Sequence, residues 1–563
     1  MKSIFPLTLA FLLLFATPAN ACTNFLCSRG ASADGSTFIT YAADSHTRYG
    51  QLRYHRGGDH PAGEVVRLYN YGSMKFQIEL PQAAHTYNVV GFINDCQLAI
   101  GETTWGGIEP YSKGNPTGID YGNLIYLALQ RAANCREAIR VMADLVETYG
   151  YADGGESFSL CDPNEVWLFE ITSKGSDKGA VWVARRLPEG YVSGHANQAR
   201  ITTFPLMRKE SYKSIDSRNL RHLSRPEVEC VYAADMIKFA RSQGLFSGKD
   251  EEFSFADTFN PLTFSGLRAC EARVYAMFNR VANGMKVYEP FAMGDKTAPR
   301  LPLWIQPDHK LTLHEIMELM RDHFEGTPMD MNSDFGAGPF HCPYRWRPMD
   351  FEVNGQKYVH ERAISTQQTG FSFVAQCRSW LPNPLGGILW FGVDDTYSTV
   401  YCPMFCGITQ VPTCFEEGNG SMSEYSETAA FWLFNRVSNF CYLRYDSMIV
   451  DVRRAQAQLE ADFIDRISHV SDQYAGYEPT RLTAMLNKTS HQCADQMMRT
   501  WTRLDHFLLM KYIDGNIKRT NPDQTLKTTP TGVVAGPQQP PYPQWFYEGI
   551  VRDRGTLLQV REQ

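Results

Sequence analysis

The chain has 563 residues, with a hydrophobic fraction of 43%, a charged fraction of 20% and a formal net charge of −7 at pH 7. This composition is typical of a globular protein, and the sequence contains no Lys/Arg run of the kind that marks a nucleic-acid binder. No stretch after the N-terminus reaches the ~20 apolar residues that a membrane span needs. The length favours one large core with an extension.

The first residues have the pattern of a secretory signal peptide. Lys2 precedes an apolar run over residues 4–15, and residues 19–21 form a small-x-small cleavage site. We therefore expect an exported protein, secreted or periplasmic, in which cleavage after Ala21 leaves Cys22 as the first residue. The alternative is lipidation of Cys22, which would block its α-amine, although alanine stands where lipoproteins usually carry leucine.

The elements in chain order predict a layered α+β protein. Alternating hydrophobicity predicts strands, and helical spacing predicts helices. The predicted strands are 23–27, 36–41, 89–93, 97–100, 157–161, 166–172, 181–186, 191–193, 356–364, 370–379, 388–393 and 398–405; the predicted helices are 123–133, 135–149, 265–281, 311–324, 424–468 and 481–512. Residues 522–543 are rich in Pro, Gly and Gln and are expected to be extended. The strand–helix–strand order favours antiparallel sheet layered with helices over a βαβ repeat.

The sequence contains 14 cysteines. Export makes disulfides possible, but the spacing does not give their connectivity. Cys402 and Cys406 lie close together, yet no second pair with histidines accompanies them, so we predict no zinc site. We expect neither a metal nor an organic cofactor.

A cysteine at a mature N-terminus combines two catalytic groups in one residue. The thiol of Cys22 would be the nucleophile. Its α-amine has an ordinary pKa near ~8, so it can accept the thiol proton near neutral pH without a separate histidine. His85 and His195 are accordingly expected to be structural, and Asp394-Asp395 is expected to form a turn at the end of a strand rather than a calcium site.

A series of motifs resembles the N-terminal-cysteine dipeptidases, the family of dipeptidase A. The matching blocks are CTNFL at 22–26, ASADGST at 31–37, HTYNVVG at 85–91, GETTWGG at 101–107, ANQARI at 196–201, DHFEGTP at 322–328, QQTGF at 367–371 and the segment 381–395. The resemblance extends over most of the mature chain to about residue 445. It implies the four-layer αββα sandwich of the N-terminal nucleophile hydrolases, with a distant similarity to bile-salt hydrolases and penicillin V acylases.

The resemblance also implies the site residues and the domain boundaries. Cys22 corresponds to the nucleophile, Asp44 to the aspartate that anchors the α-amine, Asn197 to an oxyanion-hole asparagine, and Arg273 to an arginine near the nucleophile. For Arg273 a charge on a helix surface stays an alternative. We expect the signal peptide at residues 1–21, the hydrolase domain at 22–420 and a mostly helical extension with a Pro/Gly-rich tail at 421–563.

The sequence departs from the family pattern in two places. Tyr41-Ala42 stands where many relatives have Arg-Asn, so a cation that would lower the thiol pKa is missing unless Arg48 or Arg273 replaces it. Glu102-Thr103 stands where acylase-like relatives have asparagine. We assign this dipeptide to substrate binding, with Glu102 either holding a substrate's free amino group or being an exposed loop acid.

Together these observations predict a cysteine-type dipeptidase that hydrolyses short peptides through a Cys22 thioester. Two alternatives stay open. One is an acylase-like hydrolase of N-acyl amino acids, and the other is a non-catalytic, lipidated binding protein of the cell surface. The predicted partners are short peptides, with no nucleic acid and no membrane span. The sequence does not fix the side-chain preference, the disulfide pairing or the oligomeric state.

Overall fold

The computed structural model describes residues 21–560. The predicted signal peptide, residues 1–21, lies outside the described residues except for its last position. The strands in this part of the chain are β1 (Ala21–Cys27), β2 (Thr37–Asp44), β3 (Tyr54–His55), β4 (Gly58–Asp59), β5 (Val65–Tyr69), β6 (Phe76–Pro81), β7 (His85–Thr86), β8 (Val89–Val90), β9 (Ile93–Asn94), β10 (Ala99–Trp105), β11 (Gly155–Cys161), β12 (Val166–Ser173), β13 (Ala180–Arg186), β14 (Val192–His195), β15 (Ser214–Asp216), β16 (Cys230–Tyr232), β17 (Trp304–Ile305), β18 (Asp350–Val353), β19 (Gln356–Val359), β20 (Thr369–Cys377), β21 (Ile388–Val393) and β22 (Cys402–Phe405).

Most of these strands form two large sheets. The seven-stranded sheet has the order β17-β14-β1-β2-β20-β21-β22, and the nine-stranded sheet has the order β15-β16-β13-β12-β11-β10-β9-β8-β3. Neighbouring strands are antiparallel, apart from the parallel pair β15–β16. The two sheets contact each other where β1 and β2 meet β10 and β11. The smaller pairs are β4–β7, β5–β6 and β18–β19.

The described residues form twelve α-helices, several of which pack on the two large sheets. They are α1 (Tyr121–Arg131), α2 (Cys135–Tyr149), α3 (Met236–Ser242), α4 (Phe255–Phe259), α5 (Ala272–Val281), α6 (Glu289–Ala292), α7 (Leu313–Leu319), α8 (Asn383–Gly386), α9 (Ala430–Cys441), α10 (Tyr445–Tyr474), α11 (Pro479–Lys511) and α12 (Gln544–Arg554). α1 and α2 cover the nine-stranded sheet, whereas α9, α10 and α11 cover the seven-stranded one. The α+β prediction is confirmed, including the helical region near the C-terminus.

Several predicted elements need correction. The predicted helix over 311–324 ends at Leu319, because the Asp322 carboxylate accepts from the Phe324 N–H at 2.7 Å and Phe324 takes a φ of +67°. The predicted helix over 424–468 is two helices, α9 and α10, separated near Arg444, where φ is −150°. Strand 356–364 stops at Val359 and strand 398–405 begins only at Cys402.

The C-terminal tail is only partly extended. Isolated bridges join Thr520 to Leu526 and Thr528 to Val534, and the helix α12 follows, which the sequence pattern did not predict. Between residues 21 and 560, no helix combines the length and the apolar character that crossing a bilayer requires. The division between domains at residue 420 stays a prediction.

Candidate active site

Cys22 lies on β1, at the open end of the β1–β2 hairpin. The turn of the hairpin is fixed by Asp34, whose carboxylate accepts from the Ser36 N–H at 2.9 Å. The resulting register pairs Cys22 with Ala43. The side chain of Cys22 is buried, with 4% exposed. Its nitrogen is here a peptide nitrogen, which stands in for the α-amine that cleavage after residue 21 would create.

Asn197 binds the nitrogen of Cys22. The Cys22 N–H donates to Asn197 Oδ1 at 2.8 Å, and Asn197 Nδ2 donates to the carbonyl of Thr104. Asn197 follows β14 and has a φ of +62°, a conformation that asparagine tolerates better than most residues. Because β14 is the neighbour of β1 in the sheet, the chain that follows β14 brings the side-chain amide of Asn197 directly to Cys22.

The guanidinium of Arg273 contacts both Cys22 and Asn197. Its Nη1 donates to the Cys22 carbonyl at 2.7 Å and its Nη2 to Asn197 Oδ1 at 2.9 Å. It also donates to Thr23 Oγ1 at 2.8 Å and to the carbonyls of Ala196 and Ala269. Burial, and then the charge of a neighbouring arginine, lower its pKa to about 10, so it stays charged at neutral pH. It is therefore not the surface charge of the alternative interpretation.

A π-helical turn, Gly266–Glu271, precedes α5 and leads directly to Arg273. Such turns are rare and occur frequently at functional sites, because the extra residue redirects a side chain.

Asp44 is the last residue of β2 and follows Ala43, the strand partner of Cys22, but its carboxylate hydrogen-bonds to other groups. Backbone pairing places Asp44 opposite Ala21. Its carboxylate accepts from Arg362 Nη2 at 2.7 Å and from Thr369 Oγ1 at 2.6 Å. Burial raises the pKa of Asp44, and the Arg362 guanidinium opposes that rise. The structure thus places Asp44 within electrostatic range of the Cys22 thiol.

The Cys22 thiol faces a tyrosine and a glutamate. Its Sγ lies 3.9 Å from the Tyr41 hydroxyl and 3.8 Å from Glu102 Oε1, and the Tyr41 hydroxyl donates to that same oxygen. Burial first, and then the negative charges of Glu102 and Asp44, raise the pKa of the thiol well above its usual range. The thiol is therefore protonated at rest, and a base must remove its proton during attack.

A second carboxyl group, Glu156, lies behind Glu102. Glu156 Oε2 accepts from Thr104 Oγ1 at 3.0 Å. Burial, and then the charge of Glu102, raise the pKa of Glu156 well above its usual range. Glu102 Oε2 and Glu156 Oε1 are buried and accept no hydrogen bond from another described residue. Glu156 is therefore the carboxyl group whose neutral form this burial and the neighbouring charge favour.

Thr103 points away from Glu102, since consecutive strand residues face opposite sides. Its hydroxyl contacts His195 Nδ1 at 2.7 Å, and His195 Nε2 contacts the Ser159 hydroxyl at 2.6 Å. Burial lowers the pKa of His195 to about 3, so the ring is neutral at physiological pH. His85 lies elsewhere, on β7, where its exposed side chain contacts Asp59 at 2.7 Å.

Sequence reasoning overlooked Tyr41, Glu156 and Arg362 as members of this cluster. In the sequence, Tyr41 was noted only because it stands where many relatives have an arginine. No local sequence pattern links Glu156 or Arg362 to Cys22. Arg48, considered as a replacement cation, donates to the Tyr121 hydroxyl at 2.8 Å and lies 4.4 Å from the centre of the Tyr71 ring. Over residues 21–560, no group of His, Cys, Asp or Glu side chains is arranged to hold a metal ion.

A buried thiol beside carboxyl, amide and guanidinium groups is typical of an enzyme that attacks carbonyl carbon. The sequence matches Peptidase family C69 over residues 73–458. The chain belongs to this family of peptidases, and the predicted resemblance is confirmed.

Curated relatives agree with this membership. The chain is 24% identical to a probable dipeptidase of Salmonella dublin, over 69% of this chain and 81% of that protein. It is 22% identical to the probable dipeptidase B of Streptococcus pyogenes serotype M1, over 74% and 78% of the two chains. It is 23% identical to a dipeptidase of Bifidobacterium longum, over 90% of both chains.

Proposed function

We propose that the protein is a cysteine-type dipeptidase that cleaves short peptides through a thioester on Cys22. The observation that carries this proposal is the environment of that residue: its nitrogen is held by Asn197, and its thiol lies beside Glu102. The family match begins at residue 73, so the role of Cys22 rests on this geometry and on the motif around it. The names of the relatives support dipeptides as substrates.

The reaction begins with proton transfer from a neutral thiol. After cleavage following residue 21, the nitrogen of Cys22 is an amine with an ordinary pKa near ~8. It takes the thiol proton, directly or through one water, as sulfur attacks the scissile carbonyl. The amine then donates the proton to the leaving nitrogen, which departs as the second amino acid. Water, activated by the same amine, cleaves the thioester and releases the first amino acid.

Asn197 and a nearby backbone N–H are proposed to stabilise the oxyanion. A side-chain amide is a hydrogen-bond donor of the required kind, and loss of one such donor costs about two to three orders of magnitude in rate. Arg273 supports this role by holding both Asn197 Oδ1 and the Cys22 carbonyl. Asp44 is proposed to anchor the α-amine, because removal of Ala21 clears the position opposite it.

The fold that we infer is the αββα sandwich of the N-terminal nucleophile hydrolases. Contact between the two sheets, with α1 and α2 outside one and α9 to α11 outside the other, supports this assignment. The same proposal includes export through the signal peptide and removal of that peptide before Cys22. The acylase alternative uses the same nucleophile and differs only in the substrate, whereas lipidation of Cys22 would remove the base.

The proposal is tested by trapping the acyl-enzyme. The mature enzyme is mixed with a dipeptide, quenched in acid and digested, and the peptide that begins at Cys22 is examined by mass spectrometry. We expect the mass of one aminoacyl group on that peptide. A matched control is Cys27→Ala, which removes a second buried thiol from β1 and should keep both activity and adduct. An adduct elsewhere, or activity that survives Cys22→Ala, would refute the proposal.

A further inference from the structure

A cavity lies between the ends of α9, α10 and α11 and the C-terminal tail, and its walls are separate from the Cys22 cluster. Its volume is about 560 Å³, within the range of ~300–1,000 Å³ that is typical of small-molecule sites. Most of the wall is apolar and is formed by Phe340, Phe440, Leu443, Leu509, Tyr542 and Tyr547. An apolar wall of this size is typical of a ligand site.

Two leucines of this wall are largely exposed to water. Leu443 and Leu509 keep 69% and 59% of their surface accessible, and both line the same cavity. Adjacent exposed apolar side chains of this kind mark interaction sites more often than single ones do. An apolar group that enters the cavity would remove this surface from water, which is favourable.

One buried cation, Arg444, also lines the cavity and is 8% exposed. Its Nη1 donates to the Gly515 carbonyl at 2.9 Å, and its buried Nε–H donates to no described residue. Within residues 21–560, no Asp or Glu carboxylate forms an ion pair with Arg444. A buried charge without a paired anion is costly. The guanidinium therefore favours a ligand with a carboxylate, which it can bind through two parallel hydrogen bonds.

Asp514 lines the same cavity and provides a negative charge beside this cation. It directly precedes Gly515, whose carbonyl binds Arg444, and its side chain is exposed. Within the described part of the chain, Asp514 forms no ion pair with Lys, Arg or His. Asp451 lies behind the wall, but it is already paired with Lys511 at 2.6 Å. The cavity therefore has one positive and one negative group that are not paired with each other.

We propose that this cavity is a second binding site, which takes a small zwitterion with apolar side chains. Its carboxylate binds Arg444, its ammonium group binds Asp514, and its side chains pack against the aromatic and aliphatic wall. Apolar dipeptides and free apolar amino acids share this chemistry, and under the proposed function they are a substrate and a product of the enzyme. Binding at this site does not depend on the role of Cys22.

The test titrates mature Cys22→Ala with leucyl-leucine and, separately, with leucine. This variant cannot turn over the dipeptide under the proposed function. Hydrogen exchange detected by mass spectrometry measures the protection of residues 509–516 and 540–547, which is a readout local to the cavity. We expect saturable protection by at least one of the two ligands, and the one that binds more tightly identifies the substrate or the product as the natural occupant.

Substitutions of the two charged residues are then made in the same Cys22→Ala background. Arg444→Met should weaken binding about 10- to 100-fold, because a hydrogen bond between two charged groups is lost. Asp514→Asn should weaken it about tenfold, since the acid is exposed and its attraction is screened. The amide of leucyl-leucine lacks the carboxylate and should bind equally weakly with and without Arg444. The matched control is Arg503→Met, which removes an exposed arginine of α11 and should leave the affinity within about twofold.

Absence of saturable protection with both ligands would overturn the inference, as would equal affinities in Arg444→Met and Arg503→Met. If Arg444→Met does not fold, Leu509→Trp replaces it, because the larger side chain fills the cavity from an exposed position; protection that persists in this variant would reject the site. Protection that instead rises with protein concentration in the absence of ligand would assign the cavity to contact with a second copy of the chain. The proposed function fails separately, if Cys22→Ala keeps its activity.

Discussion

Replacement of Tyr41 by phenylalanine should slow catalysis without disturbing the fold. The ring packs edge-on against Phe92, Phe371 and Phe373, at centroid distances of 5.6, 5.7 and 5.6 Å, and these contacts survive the substitution. What is lost is the hydroxyl, which donates to Glu102. A hydrogen bond to a charged group contributes about 1.5–3 kcal/mol, which corresponds to about a 10- to 150-fold change in kcat/KM if it is needed in the transition state.

The assay is steady-state hydrolysis of a dipeptide, with thermal unfolding of the same samples as a check on the fold. The matched control is Tyr401→Phe, which removes another fully buried hydroxyl that accepts from Ser372 at 3.2 Å. This residue directly precedes β22 and lies outside the site. We expect its kcat/KM to stay within about twofold, with a loss of stability of about 1 kcal/mol from the neutral hydrogen bond.

Two results would refute this reasoning. Full activity in Tyr41→Phe would show that the hydroxyl does not orient Glu102 for catalysis. Equal losses of activity in Tyr41→Phe and Tyr401→Phe would show that the effect comes from general destabilisation of the core.

Arg273→Lys should lower kcat at least tenfold, because an ammonium group cannot donate all five hydrogen bonds of the guanidinium. The control Arg280→Lys, on the same helix, should keep its activity. Equal kcat values in the two variants would contradict this prediction. Glu460→Gln should destabilise the protein by about 1.5–3 kcal/mol in chemical unfolding, since it weakens a charged hydrogen bond of Arg321, which keeps its ion pair with Glu318. A loss below about 0.5 kcal/mol would show that the Arg321–Glu460 pair is dispensable. Burial lowers the pKa of His195 in the folded protein to about 3. Its contribution to stability is therefore present above pH ~6.5, the ordinary pKa of histidine, and is lost as the pH falls from there towards 3. His195→Gln should flatten the fall in melting temperature between pH 7 and 4, and an identical slope would reject that assignment.

Local signals in the sequence were sufficient for several elements. The prediction of α2 over 135–149 and of β21 over 388–393 agrees with the structure at both ends. The β1–β2 hairpin was predictable because Asp34-Gly35 provides its turn, with Gly35 at a φ of +82°. The motif blocks gave Cys22 and Asn197, which the structure brings into hydrogen-bond contact.

Features that depend on tertiary contacts were not predictable from one sequence. Helical spacing continues through 424–468, but the helix α9 is set by bonds from Asn435 and Ser438 to Asp394, and the chain turns before α10 begins. The proximity of Glu102 to Glu156 was missed for the same reason. The two residues are far apart in the chain, and only the pairing of β10 with β11 brings them together.

The most direct test of the account is a paired analysis of the exported protein. Its N-terminal sequence and intact mass are determined, and dipeptide hydrolysis is then measured with that sample and with mature Cys22→Ala. We predict an unmodified Cys22 at the N-terminus and activity that the substitution reduces to background. A lipid-modified or internal Cys22 in an active enzyme, or hydrolysis that survives its replacement, would contradict the central claim.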